Sequence, residues 1–205
     1  AGTTVERASA LLRLPRGLRF VRALGADAKH LGDGELVLRM GSLHAGDERR
    51  VVVELVADAP LGSTLSFDTT VSWDEVGGES VSLPLEQLGV QTTDDPRLVE
   101  ASRDGRVYAS SISAIASQRQ IEAADAYRKG DASRAQQIIA DNMADLEDAA
   151  AAAPEEAADS LMKQKRSYGE SGARFERTPP GSAAGRAAAK EATAADAANL
   201  ERQVY

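Results

Sequence analysis

The chain has 205 residues, a formal net charge of -8 and no cysteine. That length accommodates one large domain or two small ones, each with its own core. The acidic balance argues against a nucleic-acid partner, whose phosphates call for clustered Lys and Arg. The lack of cysteine removes disulfides, thiolate metal sites and cysteine nucleophiles together.

No apolar run approaches the ~20 residues that span a bilayer, and AGTTVERASA at the N-terminus has neither a basic start nor an apolar signal-like stretch. The sequence begins without Met and enters patterned residues at Val5, which reads as a processed product or a piece of a longer protein. An aromatic content of 4% beside abundant Ala, Arg, Asp and Gly fits a GC-rich bacterial coding bias. The expected compartment is the bacterial cytoplasm in preference to the cell surface.

From Val5 to about Val90 the chain reads as strands. Ala10, Leu12 and Leu14 alternate and stop at the turn signal Pro15-Arg16-Gly17, after which Leu18 to Val21 resumes. Strands follow at Glu35 to Met40, Arg49 to Ala57, Thr64 to Trp73 and Glu79 to Leu88, separated by Gly-rich turns, and Gly77-Gly78 marks a tight hairpin. This spacing predicts an antiparallel, Ig-like sandwich over residues 1–92. Within GSLHAGDERRVVVELVAD (41–58), Val51, Val53 and Leu55 share one face while Val52, Glu54 and Val56 share the other. An apolar character on both faces predicts a central strand. Leu43 is expected in the preceding loop, plugging the open end of the core.

From about Asp95 the period changes to that of helices. Asp94-Asp95-Pro96 supplies an acidic entry, and Tyr108, Ile112, Ile115, Ala116, Ala123, Ala126 and Tyr127 fall on one face up to a stop at Gly130-Asp131. Arg119 interrupts that face and Ile121 lies off it. Ala135, Ile138, Ile139, Asn142, Met143 and Leu146 then recur at helical spacing. A third piece from Pro154 to Arg166 carries Ala158, Leu161 and Met162 on one side, with acid in its first turn and Lys163, Lys165 and Arg166 in its last, complementing the helix dipole. Residues 93–168 are therefore expected to form an α-helical hairpin or three-helix region. After Tyr168 the glycines and Pro179-Pro180-Gly181 predict a linker, followed from Arg186 to Val204 by an Ala-rich helix with poor anchoring. The fold class is thus α+β, an N-terminal sandwich followed by a C-terminal helical hairpin or bundle.

No residue set selects a reaction. His30 and His44 sit near glycines in expected turns, where Asp33, Asp47 and Glu48, three or four residues on, share no helix face with them, and both histidines are read as surface turn residues rather than metal ligands. Asp47-Glu48 and Asp94-Asp95 are explained by turns and caps. Gly32-Asp33-Gly34 is too short and misplaced for a phosphate loop. Arg13, Arg16, Arg19 and Arg22 recur every third residue, a spacing that no strand places on one face. No catalytic, cofactor-binding or metal residue is assigned, no cofactor is expected, and the chain is read as not being an enzyme.

The succession LLRLPRGLRFVRALG, ELVLRMGSLHAGDERRVVVELVAD and DPRLVEASRDGRVYASSISAIASQRQIEAADAYRKGDASRAQQIIADNM resembles the region that follows the A domain in bacterial von Willebrand factor A domain-containing proteins. The resemblance covers about residues 5 to 168. It implies a small β-sandwich and a helical C-terminal region without the A domain itself. Family members bind a divalent cation through Asp-x-Ser-x-Ser, a motif this sequence lacks; Ser111-Ile112-Ser113 has no Asp and falls on an expected helix.

The resemblance implies a non-catalytic interaction or scaffolding module of a larger protein. Its expected partners are proteins, either its own A domain or a MoxR-type AAA+ ATPase, with no nucleic acid and no membrane span in the chain. The alternative is a stand-alone adhesin or carbohydrate-binding sandwich, for which Trp73 is the one candidate contact residue. A hydrolase would require a cleft with two or more perturbed carboxylates.

Overall fold

Alternating apolar residues and glycine turns in the first half, and helical periodicity in the second, build an α+β chain with antiparallel sheets and five helices. The structure, a computed structural model, describes residues 3–201; the expected helix end at Val204 lies outside them. The chain divides into two compact units between Ser102 and Arg103.

The first unit contains β1 (Thr3–Arg13), β2 (Leu18–Leu24), β3 (Asp27–Gly32), β4 (Glu35–His44), β5 (Val52–Ala57), β6 (Thr64–Glu75), β7 (Ser80–Pro84), β8 (Leu88–Gln91) and the short α1 (Pro96–Ala101). One sheet runs in the order β3-β4-β1-β6-β7, with β8 also paired to β6, and a second sheet consists of β2 and β5. Its central strand is β1, where Leu12 stands opposite Leu36 and Ala10 opposite Leu38. These four and Leu14 form the buried centre, and Phe20, Val53 and Leu55 of the second sheet pack against it with Phe67 and Val71 of β6. The two sheets therefore share one core.

Three local expectations are corrected. β5 pairs with β2 alone among the described residues, so it is no central strand. Side-chain alternation reports which faces are covered, whereas centrality is a property of the backbone edges. Leu43 is not a loop plug: β4 runs through His44, and Leu43 is half-buried opposite Val5. The expected strand Glu79–Leu88 is two strands, β7 and β8, each paired to a different stretch of β6. The additional β3 is a polar edge strand, too weakly alternating to stand out, held by its register with β4.

The second unit contains α2 (Gly105–Arg128), α3 (Ala132–Ala151), α4 (Glu155–Arg177) and α5 (Ala183–Glu201). The helix expected to run from Asp95 to Gly130 is broken because Asp104 caps afresh, accepting bonds from the Arg106 and Val107 amides at 2.9 and 3.0 Å. Gly130, at φ +90°, ends α2 in the left-handed region and Asp131 caps α3. On α3, Ala135, Ile139, Asn142 and Leu146 are buried, in line with their spacing. They meet Ala116, Ala123 and Tyr127 of α2, and Leu161, Tyr168 and Phe175 of α4, in one core.

The chain after Tyr168 differs from the expected linker and weakly docked helix. α4 continues through Gly169 and Gly172 to Arg177. Gly172 faces α3: Gln136 Nε2 donates to its carbonyl at 2.9 Å, and a Cβ there would sit 3.4 Å from Ile139. The glycines that read as a linker thus permit close helix packing. α5 docks on α2, burying Ala189 and Ala192. The connecting turn wraps Tyr127, which is stacked on Phe175 at 4.2 Å between ring centroids and donates to the Thr178 carbonyl at 2.5 Å.

Gly185 on the first turn of α5 has no room for a side chain, since a Cβ would lie 2.7 Å from the Tyr127 hydroxyl and 2.3 Å from the Pro179 carbonyl oxygen. In an open helix Gly→Ala stabilises by ~1 kcal/mol; here the sign is predicted to reverse. Gly185→Ala is expected to cost about 1–3 kcal/mol in urea unfolding, and a stabilised variant would contradict this packing.

Candidate functional site

The most concentrated set of polar side chains in the described structure lies inside the helical unit. α2 turns Ser113, Ser117 and Gln120 inward on successive turns among its alanines, and all three are buried. Ser117 is 0% exposed and is the hub. Its hydroxyl accepts from Asn199 Nδ2 at 2.7 Å and from Gln164 Nε2 at 3.0 Å, and lies 3.3 Å from the Tyr168 hydroxyl. A serine hydroxyl has one proton and two lone pairs, so these contacts use its full capacity. Tyr168 donates to Asp196 Oδ1 at 2.6 Å and accepts from Gln164 at 2.7 Å, while Gln164 also reaches the Ser113 carbonyl at 3.0 Å. Asn199 completes the set with a 3.2 Å bond to the Ser113 hydroxyl. Three helices, α2, α4 and α5, are joined by these bonds.

Asp196 is 6% exposed. Burial raises its carboxyl to about 6, against the lowering effect of the hydrogen bond from Tyr168. Burial, with the Asp196 carboxylate beside it, pushes the Tyr168 phenol well above its usual range. A small cleft of about 80 Å³ opens beside Asp196 between α4 and α5, lined also by Ser167, Ser171, Glu170 and the ion pair Arg174–Glu191 at 2.7 Å. Serine, tyrosine and aspartate side by side suggest a proton relay, but Ser117 is sealed by the helices it joins. What the arrangement can do is couple proton uptake to the seating of α5.

The seam continues to two amides with open capacity. Asn142 Nδ2 donates to the Ala116 carbonyl at 3.0 Å, while Asn142 Oδ1 and both polar atoms of Gln120 have no hydrogen-bond partner. Each such buried atom costs on the order of 1–3 kcal/mol.

The residues weighed from sequence are dispersed. His30 lies on β3 with its ring edge-on to Phe20 at 5.1 Å, and the His44 amide donates to Asp47 Oδ2 at 2.9 Å in the turn after β4. Arg13 and Arg22 form separate cross-strand ion pairs with Glu35 and Glu54, each worth ~0–1 kcal/mol at such exposure. Lys165 pairs with Glu147 at 2.7 Å. Asp95 caps α1 by accepting from the Arg97 amide at 2.9 Å. Trp73 is half-buried on β6 opposite Val81. Hydrogen bonds from Ser80 and Arg7 hold Asp74 below the usual carboxylate range. Among the described residues, no three His, Asp or Glu converge as metal ligands, and no helix is long and apolar enough to cross a membrane.

Sequence reasoning passed over Ser117, Gln164, Asp196 and Asn199. The available signal was the i, i+4, i+7 recurrence of Ser113, Ser117 and Gln120 on the face that carries Ala116 and Ala123.

Comparison with solved structures shows a likeness of fold. Over its full length the chain is similar to a von Willebrand factor type A protein from Catenulispora acidiphila, with a TM-score of 0.52 and 14% identity, and it spans 47% of that protein. The two share a fold. A looser likeness, TM-score 0.44 and 9% identity, links 98% of the chain to 44% of VWA2, an ArnB paralog from Sulfolobus acidocaldarius. The chain thus spans about half the length of the solved structures it matches. No protein-family model and no curated protein matches the sequence.

The buried carboxylate gives the helical unit a defined pH response. A group whose folded pKa is raised binds a proton that the unfolded chain releases, so its stabilising effect is complete below about pH 4 and is lost as pH rises to about 6. The change amounts to at most about 3 kcal/mol. Urea unfolding near pH 4 and pH 7 is expected to show Asp196→Asn gaining on the unsubstituted chain by about 2–3 kcal/mol at the higher pH. An unchanged difference between the two would contradict the assignment.

Proposed function

We propose that the chain is a non-catalytic interaction or scaffolding module of a larger bacterial von Willebrand factor A-like protein, supplying an Ig-like sandwich and a helical region beside the A domain. The observation that carries the reading is the full-length likeness in fold to only 47% of the Catenulispora protein. A part built this way works through faces presented to the remainder of such a molecule or to a separate protein. The candidate partners are the A domain of the same polypeptide and a MoxR-type AAA+ ATPase.

Two features support assignment to the accessory part. Every strand pairing among the described residues is antiparallel, and the sequence contains no Asp-x-Ser-x-Ser through which the family holds its cation. The polar seam fits a structural role: its hydrogen bonds are spent on seating α5, which gives the helical unit a defined surface.

Titration with Mg²⁺ and Mn²⁺, followed by isothermal calorimetry, tests the reading. An accessory module is expected to give no saturable heat at ~1 mM cation, a concentration at which a built divalent site is normally occupied. Stoichiometric binding would overturn the assignment and place a cation-binding A domain within this chain.

A further inference from the structure

The cleft beside Asp196 borders a charge that the fold leaves unbalanced. Asp196 is 6% exposed, and among the described residues no Lys, Arg or His forms an ion pair with it. Buried carboxylates are as a rule paired, because taking the charge out of water is costly. Its Oδ1 takes the hydrogen bond from Tyr168 at 2.6 Å, which leaves Oδ2 to whatever enters the cleft.

The rest of the lining has the same sign. Glu170 on α4 and Glu191 on α5 add two carboxylates, and the lining's one cation, Arg174, is already held by Glu191 at 2.7 Å. These acids do not form a metal shell: among the described residues, no three His, Asp or Glu converge as ligands. A cation recognised through N–H donors needs no such convergence.

The remaining walls suit such a group. Ser167 and Ser171, four residues apart and so on one face of α4, contribute hydroxyl acceptors, whereas Ala192 and Ala195 give the α5 side an apolar surface. An ammonium carries three donors and no acceptor. The volume of about 80 Å³ is that of two or three waters at ~30 Å³ each. That space fits a nitrogen with about two carbons behind it.

We propose that this cleft binds a primary alkylammonium group, free or at the end of a lysine side chain, with its nitrogen at Asp196 and the serine hydroxyls and its carbons along Ala192 and Ala195. The incoming cation pairs with the buried carboxylate while Tyr168 keeps its bond to Oδ1, so α5 stays seated. The polar seam is then a ligand site as well as a joint between helices. The site stands whether or not the chain is an accessory module.

The test is ¹H–¹⁵N NMR of the full 205-residue chain titrated with ethylammonium chloride and, separately, with Nα-acetyl-lysine amide. The measurement is made at about pH 7.5, where the Asp196 carboxyl is ionised. Saturable shifts of the Ser171, Ala192 and Asp196 amides are expected, with a Kd on the order of 1–10 mM for so small a ligand. Tighter binding of the lysine derivative assigns the site to a protein side chain, and tighter binding of ethylammonium assigns it to a free amine. Asp196→Asn is expected to weaken binding roughly ten-fold or more. Ala195→Leu, at an exposed position, fills the cleft without altering the carboxylate and is expected to abolish binding with circular dichroism unchanged. Equal shifts from potassium chloride or tetramethylammonium chloride, which bring charge without N–H donors, would overturn the proposal. So would the absence of shifts with both amines, or undiminished binding by either variant.

Discussion

The helical unit depends on the hydroxyl of Ser117. α5 is Ala-rich, and its buried apolar contribution is small: Ala189 and Ala192, at ~0.8 kcal/mol per methyl-sized group. Ordering a helix of this length requires more than that. The additional stabilisation comes from Tyr168 to Asp196 and from Asn199 to Ser113 and Ser117. Hydrogen bonds each contribute ~0.5–1.5 kcal/mol net, but removing a shared partner strands several donors at once. Because Ser117 serves α4 and α5 together, it is the point at which loss of one atom affects three helices.

This explains why α5 has a fixed seat despite its composition. Alanine packing is permissive in register, whereas a polar group finds its partner at one register only. Asp196 and Asn199 are three residues apart and so lie on one face of α5, which fixes its rotation against α2 and α4. Gly185 fixes the entry of the helix at Tyr127. The consequence is a helix whose docking responds to pH through Asp196 and to helix-to-helix hydrogen bonding, rather than to general hydrophobicity.

Much of the architecture was legible from period alone. The alternation of Ala10, Leu12 and Leu14 and the helical recurrence of Ala135, Ile139, Asn142 and Leu146 identify buried faces that the structure contains. What escaped was information carried by edges and by small residues. The valines of β5 report two covered faces but say nothing of a free backbone edge. Gly169 and Gly172 have the composition of a linker and the position of a helix–helix contact. The seam was hidden because Ser113, Ser117 and Gln120 carry no apolar signal of their own, and only Ala116 and Ala123, three residues on from Ser113 and Gln120, mark their face as buried. Asp196 and Asn199, 79 and 82 residues beyond Ser117 in the numbering, are brought to it only by the chain reversals that follow α2, α3 and α4.

The most direct measurement of the central claim is amide hydrogen exchange in the chain carrying Ser117→Ala, which removes the hydroxyl and adds no bulk at this buried position. If Ser117 seats α5, amides from Ala188 to Asp196 exchange at least about ten-fold faster, corresponding to ~1.4 kcal/mol, while those of α3 around Ile139 keep their protection. Unchanged protection across α5 would contradict the account, as would an equal loss throughout α2, α3, α4 and α5.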